Sequence, residues 1–92
     1  MYLAGAGATA VFMNISAATC IRTSAAWVAQ ISVIATGTAG GIFDAAATGT
    51  ATSGRQIGVI PAIFGVYTWN LPCTSGVTVV PGAGQVLTVT LA

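Results

Sequence analysis

Charge is what this chain lacks. Charged residues make up 3% of its 92 positions, against roughly 25% in an ordinary soluble protein. Arg22, Arg55 and Asp44 are the complete set, and there is no His, Lys or Glu. General acid/base catalysis normally draws on His, Lys or a pair of carboxylates. One Asp does not supply it, and the chain reads as a non-enzyme. A zinc or calcium site takes about four or more suitable ligands. Two cysteines and one carboxylate fall short, so no metal or cofactor is expected. Nucleic-acid binding by charge takes about six or more basic phosphate contacts, which two arginines cannot provide. Disorder goes with low hydrophobicity and high net charge, whereas this chain is 55% hydrophobic with a net charge of +1.

A long apolar run is also missing. A spanning helix needs about 18 or more consecutive apolar residues. The best window, Ile57 to Trp69, is shorter and is broken by Gly58, Pro61 and Gly65. The start, MYLAGAGATAVF, has no basic residue before its apolar part and so reads poorly as a signal peptide. No membrane span is expected. GAGATA (Gly5 to Ala10) resembles a phosphate-binding loop in composition only, because no Gly-Lys-Thr/Ser follows.

What is present is apolar residues, hydroxyls and turn formers. Thr and Val favour strands, and Gly and Pro punctuate the apolar runs. Alternation marks the strands. Thr19–Thr23 is one. In Trp27–Ala35 the odd positions form an apolar face opposite Gln30 and Ser32. Ile42 opens a strand after Gly40-Gly41, and Thr48–Gly54 is a loop. Gln56–Ile60 stops at Pro61. Phe64–Leu71 sets Tyr67, Trp69 and Leu71 against Thr68 and Asn70. Val77–Val80 precedes the turn Pro81–Gly84. Gln85–Leu91 sets Leu87, Val89 and Leu91 against Thr88 and Thr90. With a first piece near Ala8–Phe12, the reading is all-β: a small antiparallel sandwich, jelly-roll-like, of about eight short strands. A helical turn at Ala45–Ala47 is the one helical option. Residues 1–92 form a single domain, with 1–8 as an N-terminal arm.

A chain of this size buries about 60–65% of its unfolded surface, and three charges cannot dress the rest. Net charge near zero gives little colloidal repulsion. The outer surface is therefore expected to be covered by identical copies or by a larger assembly. Tyr2 and Leu3 in the arm, with Arg22, Asp44 and Arg55, are the candidate partner-contact residues. An ion pair between Asp44 and one Arg competes with simple solvation of both. Trp27 and Trp69 read as core, because both lie on the more apolar face of their strands; the alternative is a sugar-stacking platform. Cys20 and Cys73 read as two buried thiols, with one disulfide as the alternative in an oxidising compartment.

Two stretches carry a resemblance: GGIFDAAATGTATSGRQIGVIPA and VYTWNLPCTSGVTVVPGAGQVLTVTLA. Ile42-Phe43-Asp44, Ile57–Pro61, Tyr67–Val80 and Val86–Leu91 follow one another as they do in the small jelly-roll-like structural proteins of tailed bacteriophages. The chain resembles these capsid decoration, cement or head-fibre proteins from about Trp27 to Ala92. It departs from many of them in having almost no charge. The resemblance implies a homotrimer on the capsid surface of a virion assembled in the host cytoplasm. Its partner would be the major capsid protein, and it would clamp neighbouring capsomers. A receptor- or glycan-binding fibre module and a secreted bacterial adhesin or pilus-type subunit are the alternative functions.

Overall fold

The computed structural model describes residues 10–91. The arm positions, Tyr2 and Leu3 among them, lie outside the described residues. Eight strands follow in chain order: β1 Ala10–Ile15, β2 Thr19–Arg22, β3 Ala26–Ala35, β4 Gly40–Phe43, β5 Gln56–Ile60, β6 Gly65–Cys73, β7 Val77–Val80 and β8 Val86–Leu91. They form two four-stranded sheets. Sheet A has the order β1-β8-β3-β6 and sheet B the order β2-β7-β4-β5, with every pairing antiparallel. This is the double-sheet jelly roll. β5 and β7 end where the sequence places their ends, before Pro61 and before the Pro81–Gly84 turn.

The core is the space between the sheets. β8 has the clearest alternation: Leu87, Val89 and Leu91 are fully buried, and Val86, Thr88 and Thr90 are half-buried. Val28, Ile31 and Val33 of β3 join them, with Ile42, Ile60, Val77 and Val79 from sheet B. At the β5–β6 flank the ring of Trp69 packs against this cluster. It lies so close over Gly58 that a Cβ there would collide with it. The indole Nε1 is buried without a partner.

Trp27 is not core. It is 42% exposed, and its neighbour Val28 is buried instead. The cause is a bulge. Val28 and Gln30 of β3 face Leu91 and Thr90 of β8, so two steps on one strand match one on the other. An extra residue in a strand reverses the facing of everything on one side of it. Ile31 and Val33 keep the inward facing expected of them, and Trp27 is turned out. On the facing stretch of β6, Asn70 takes a left-handed backbone, φ 55°. Asn is one of the few residues that adopt it readily.

The first strand, Ala10–Ile15, continues past Phe12, with Phe12 packed on the core and Val11 52% exposed. Alternation on one strand cannot place both neighbours inside. The Ala45–Ala47 stretch is not helical. One-turn 3-10 segments follow it, at Thr48–Thr50 and Ser53–Arg55, within what reads in sequence as a loop.

Candidate contact surfaces and the Asp44 junction

Arg22, Asp44 and Arg55 gather at one end of the sandwich around the β6–β7 connection. Arg22 ends β2 and pairs with Val77. A bulge between Cys20 and Arg22 breaks the common face that their spacing implies. Gly76 sits against this strand end and the next loop. A Cβ there would stand 2.6 Å from the Arg22 carbonyl oxygen and 2.7 Å from that of Ala45. Only glycine permits that backbone approach.

Asp44 follows β4 and turns its carboxylate into the same connection. Oδ2 accepts hydrogen bonds from the Thr74 amide and hydroxyl, both at 3.0 Å. Oδ1 accepts from the amides of Ser75 at 2.8 Å and Gly76 at 3.3 Å. The Thr74 amide does most to hold the Asp44 carboxyl down, at about 2, with Ser75, the Thr74 hydroxyl and Gly76 adding to it against a smaller cost of burial. Arg55 passes the carboxylate by. Its Nη1 donates to the Asp44 carbonyl oxygen at 3.4 Å and to Ser75 Oγ at 3.2 Å. In place of either an ion pair with an arginine or simple solvation, the Asp44 carboxylate sits in a cradle of backbone amides. The carboxylate works as a staple between two loops.

The staple anchors a cover. Ala45, just after Asp44, lies against part of sheet B's outer face. Ala45 is fully buried, and its carbonyl accepts a hydrogen bond of 3.0 Å from the outward Thr78 hydroxyl, itself fully buried. Phe43 folds beside Gly41 on the same face.

Among the described residues, nothing covers the outer face of sheet A in this way. Its outer face presents Val11 (52% exposed), Met13 (73%), Ile34 (50%) and Val66 (64%), together with Trp27. Between them lie Asn70 and the residues Gln30, Ser32, Thr68, Thr88 and Thr90, the last five paired across the strands. No charged residue belongs to sheet A. Trp27 is fixed in orientation there, since its Nε1 donates to Asn70 Oδ1 at 2.8 Å across the β3–β6 pair.

A third apolar feature was not singled out from the sequence. Ile63 (71% exposed) and Phe64 (63%) form the tip of the β5–β6 connection. Its backbone is held from both sides. Fully buried Gln85 donates from Nε2 to the Pro61 carbonyl at 2.8 Å, while its Oε1 accepts from the Gly82 amide. The Tyr67 hydroxyl donates to the Ile63 carbonyl at 2.8 Å. In sequence, Gln85 reads only as the first residue of a strand. Its use as a loop clamp arises from topology, which brings the β7–β8 and β5–β6 connections to the same end.

Cys20 and Cys73 are free thiols, Cys20 half-buried and Cys73 buried. Burial, and then the nearby Asp44 charge, push the Cys73 thiol up to about 11, far from the thiolate that nucleophilic chemistry requires. Among the described residues no three His, Cys, Asp or Glu side chains group as metal ligands. Compared with family models, curated proteins and solved structures, the chain matches none.

Proposed function

We propose that this chain is a structural virion protein, a capsid decoration or cement protein of a tailed bacteriophage. It acts as a homotrimer that binds the major capsid protein between capsomers. The observation that supports this most is the outer face of sheet A, which is broad, uncharged and, among the described residues, uncovered. Large uncovered apolar patches mark sites of association. Holding power comes from burying that surface, at roughly 25 cal/mol per Å² before the costs of association, and from repeating it over many copies. The jelly roll supplies a stiff plate for such contacts, and the resemblance read from the strand pattern supplies the virion.

The test is binding of purified protein to heads of the virus, followed by sedimentation in low and in molar salt. Binding that changes little with salt is the expected result, because there are few charges to screen. Failure to bind heads, or immunogold label confined to tail fibres or to the host surface, overturns the reading.

Trp27 favours one second reading, a glycan-binding module of a fibre. Its ring is exposed and its orientation is fixed by Asn70, as a sugar-stacking platform requires. Glycan-array binding that is lost in Trp27→Ala would support this reading over the first. The adhesin or pilus-type reading loses its main support with the thiols of Cys20 and Cys73 both free.

A further inference from the structure

Both neighbours of β3 meet it out of step at one place. Against β8, the extra residue between Val28 and Gln30 belongs to β3. Against β6, the stretch between the Val28–Leu71 and Gln30–Thr68 pairs holds Ala29 on β3 but both Trp69 and Asn70 on β6. Bulges re-aim side chains and are frequent beside functional sites. Here the two bulges turn Trp27 outward and set Asn70 beside it on the outer face of sheet A.

Trp27 lies directly opposite Pro72, with Asn70 on the diagonal, where long side chains still meet. An indole N–H can only donate, so the Asn70 atom that faces it at 2.8 Å is the carbonyl oxygen. That bond occupies the ring's one polar atom and fixes its plane. It also turns the Asn70 NH2 group away with its donors to spare, since among the described residues no group accepts from it. Next along β3 comes Gln30, exposed, with Thr68 and Thr90 across from it on the two neighbouring strands. The result is an exposed aromatic face edged by amides and hydroxyls. No charged residue belongs to this sheet.

We infer that Trp27 and Asn70 form a binding site for a neutral pyranose sugar. The C–H face of the sugar lies on the indole, whose π face is electron-rich and attracts C–H groups. A hydroxyl at the sugar's edge accepts from the Asn70 NH2, and the Gln30 amide serves a hydroxyl farther along the strand. Neutral amides match hydroxyls, which both donate and accept. The carboxylate of a sialic or uronic acid would lose water here and gain no cation. The inference rests on the glycan reading of Trp27 given above, and adds the class of sugar and the groups that hold it.

The experiment is a glycan array probed with the purified full chain. The best neutral glycan is then titrated against the chain and followed by tryptophan emission, with circular dichroism to confirm that each variant folds. Neutral glycans are expected to bind and acidic ones to bind no better. Wild-type emission should change on titration, and the change should vanish in Trp27→Phe. Trp27→Ala should weaken binding about tenfold. Asn70→Asp keeps an acceptor for the indole but has no NH2 group, and should weaken binding about fivefold. Trp27-dependent binding confined to acidic glycans overturns the inference and leaves the glycan reading standing. No binding to any glycan, or binding unchanged in Trp27→Ala, overturns both. Full binding by Asn70→Asp also overturns the inference, because the sugar would then take nothing from the NH2 group. The wild-type emission needs no variant to fold: no change at saturation overturns the inference by itself.

Discussion

The two outer faces of this sandwich solve the same problem differently. Sheet B is covered in part by its own chain. Ala45 meets Thr78, and the Asp44 staple holds this start of the β4–β5 connection to the β6–β7 connection. All three charged residues lie on this sheet or in its connections. Among the described residues sheet A is left bare, with a row of Val, Ile, Met, Trp, Thr and Gln and no charge. The hydrogen-bonded cover belongs to folding, whereas the bare face is surface left for something else. Substitutions on the two faces should therefore separate stability from association.

The largest effect falls on the staple. Asp44→Ala removes four hydrogen bonds to an ionised acceptor and leaves the 74–76 amides without it. It is expected to cost about 2 kcal/mol of folding stability, read as a lower midpoint in urea. If that midpoint is unchanged, the cover is not held by Asp44.

The same contrast can be sharpened with pH. The Asp44 carboxyl is held at about 2 in the fold, below its unfolded value of about 3.9. Its contribution is fully present above about pH 4 and is lost as the pH falls towards 2. Midpoints measured across this window should fall in wild type and stay nearly flat in Asp44→Asn. An equal fall in both would assign the acid sensitivity elsewhere.

Thr78→Val is the next smaller test. It leaves the Ala45 carbonyl without its buried donor and should cost about 1 kcal/mol, again read by denaturation. On sheet A, Val66→Lys or Thr68→Lys should change stability by no more than about 0.5 kcal/mol while weakening attachment to heads. A sheet A substitution as damaging to folding as Thr78→Val would erase the distinction between the faces.

Cys20 and Cys73 offer a further check on sheet B and its junction. A thiol reagent applied to the native protein should modify half-buried Cys20 first, with Cys73 reacting only on unfolding. Equal rates in the native state would mean that the Cys73 end opens readily.

Much of the fold was legible along the chain, and for a physical reason. Strand alternation and turn residues are local. β5, β7 and the inward Leu87-Val89-Leu91 set of β8 follow from period-two patterning bounded by Pro and Gly. The near absence of charge likewise determined, before any fold was known, that the surface would be uncharged somewhere and that chemistry built on titratable groups had little to work with. The facing of Trp27 was not legible, because a bulge depends on how β3 pairs with β8, not on the composition of β3. The roles of Asp44 and Gln85 were hidden because each bonds to backbone groups contributed by distant segments: 30 residues away for Asp44 and Thr74, and 24 for Gln85 and Pro61. Backbone amides and carbonyls are the same in every sequence. Only the tertiary structure decides which of them meet a side chain, which sheet face is covered, and where the apolar Ile63–Phe64 tip comes to lie.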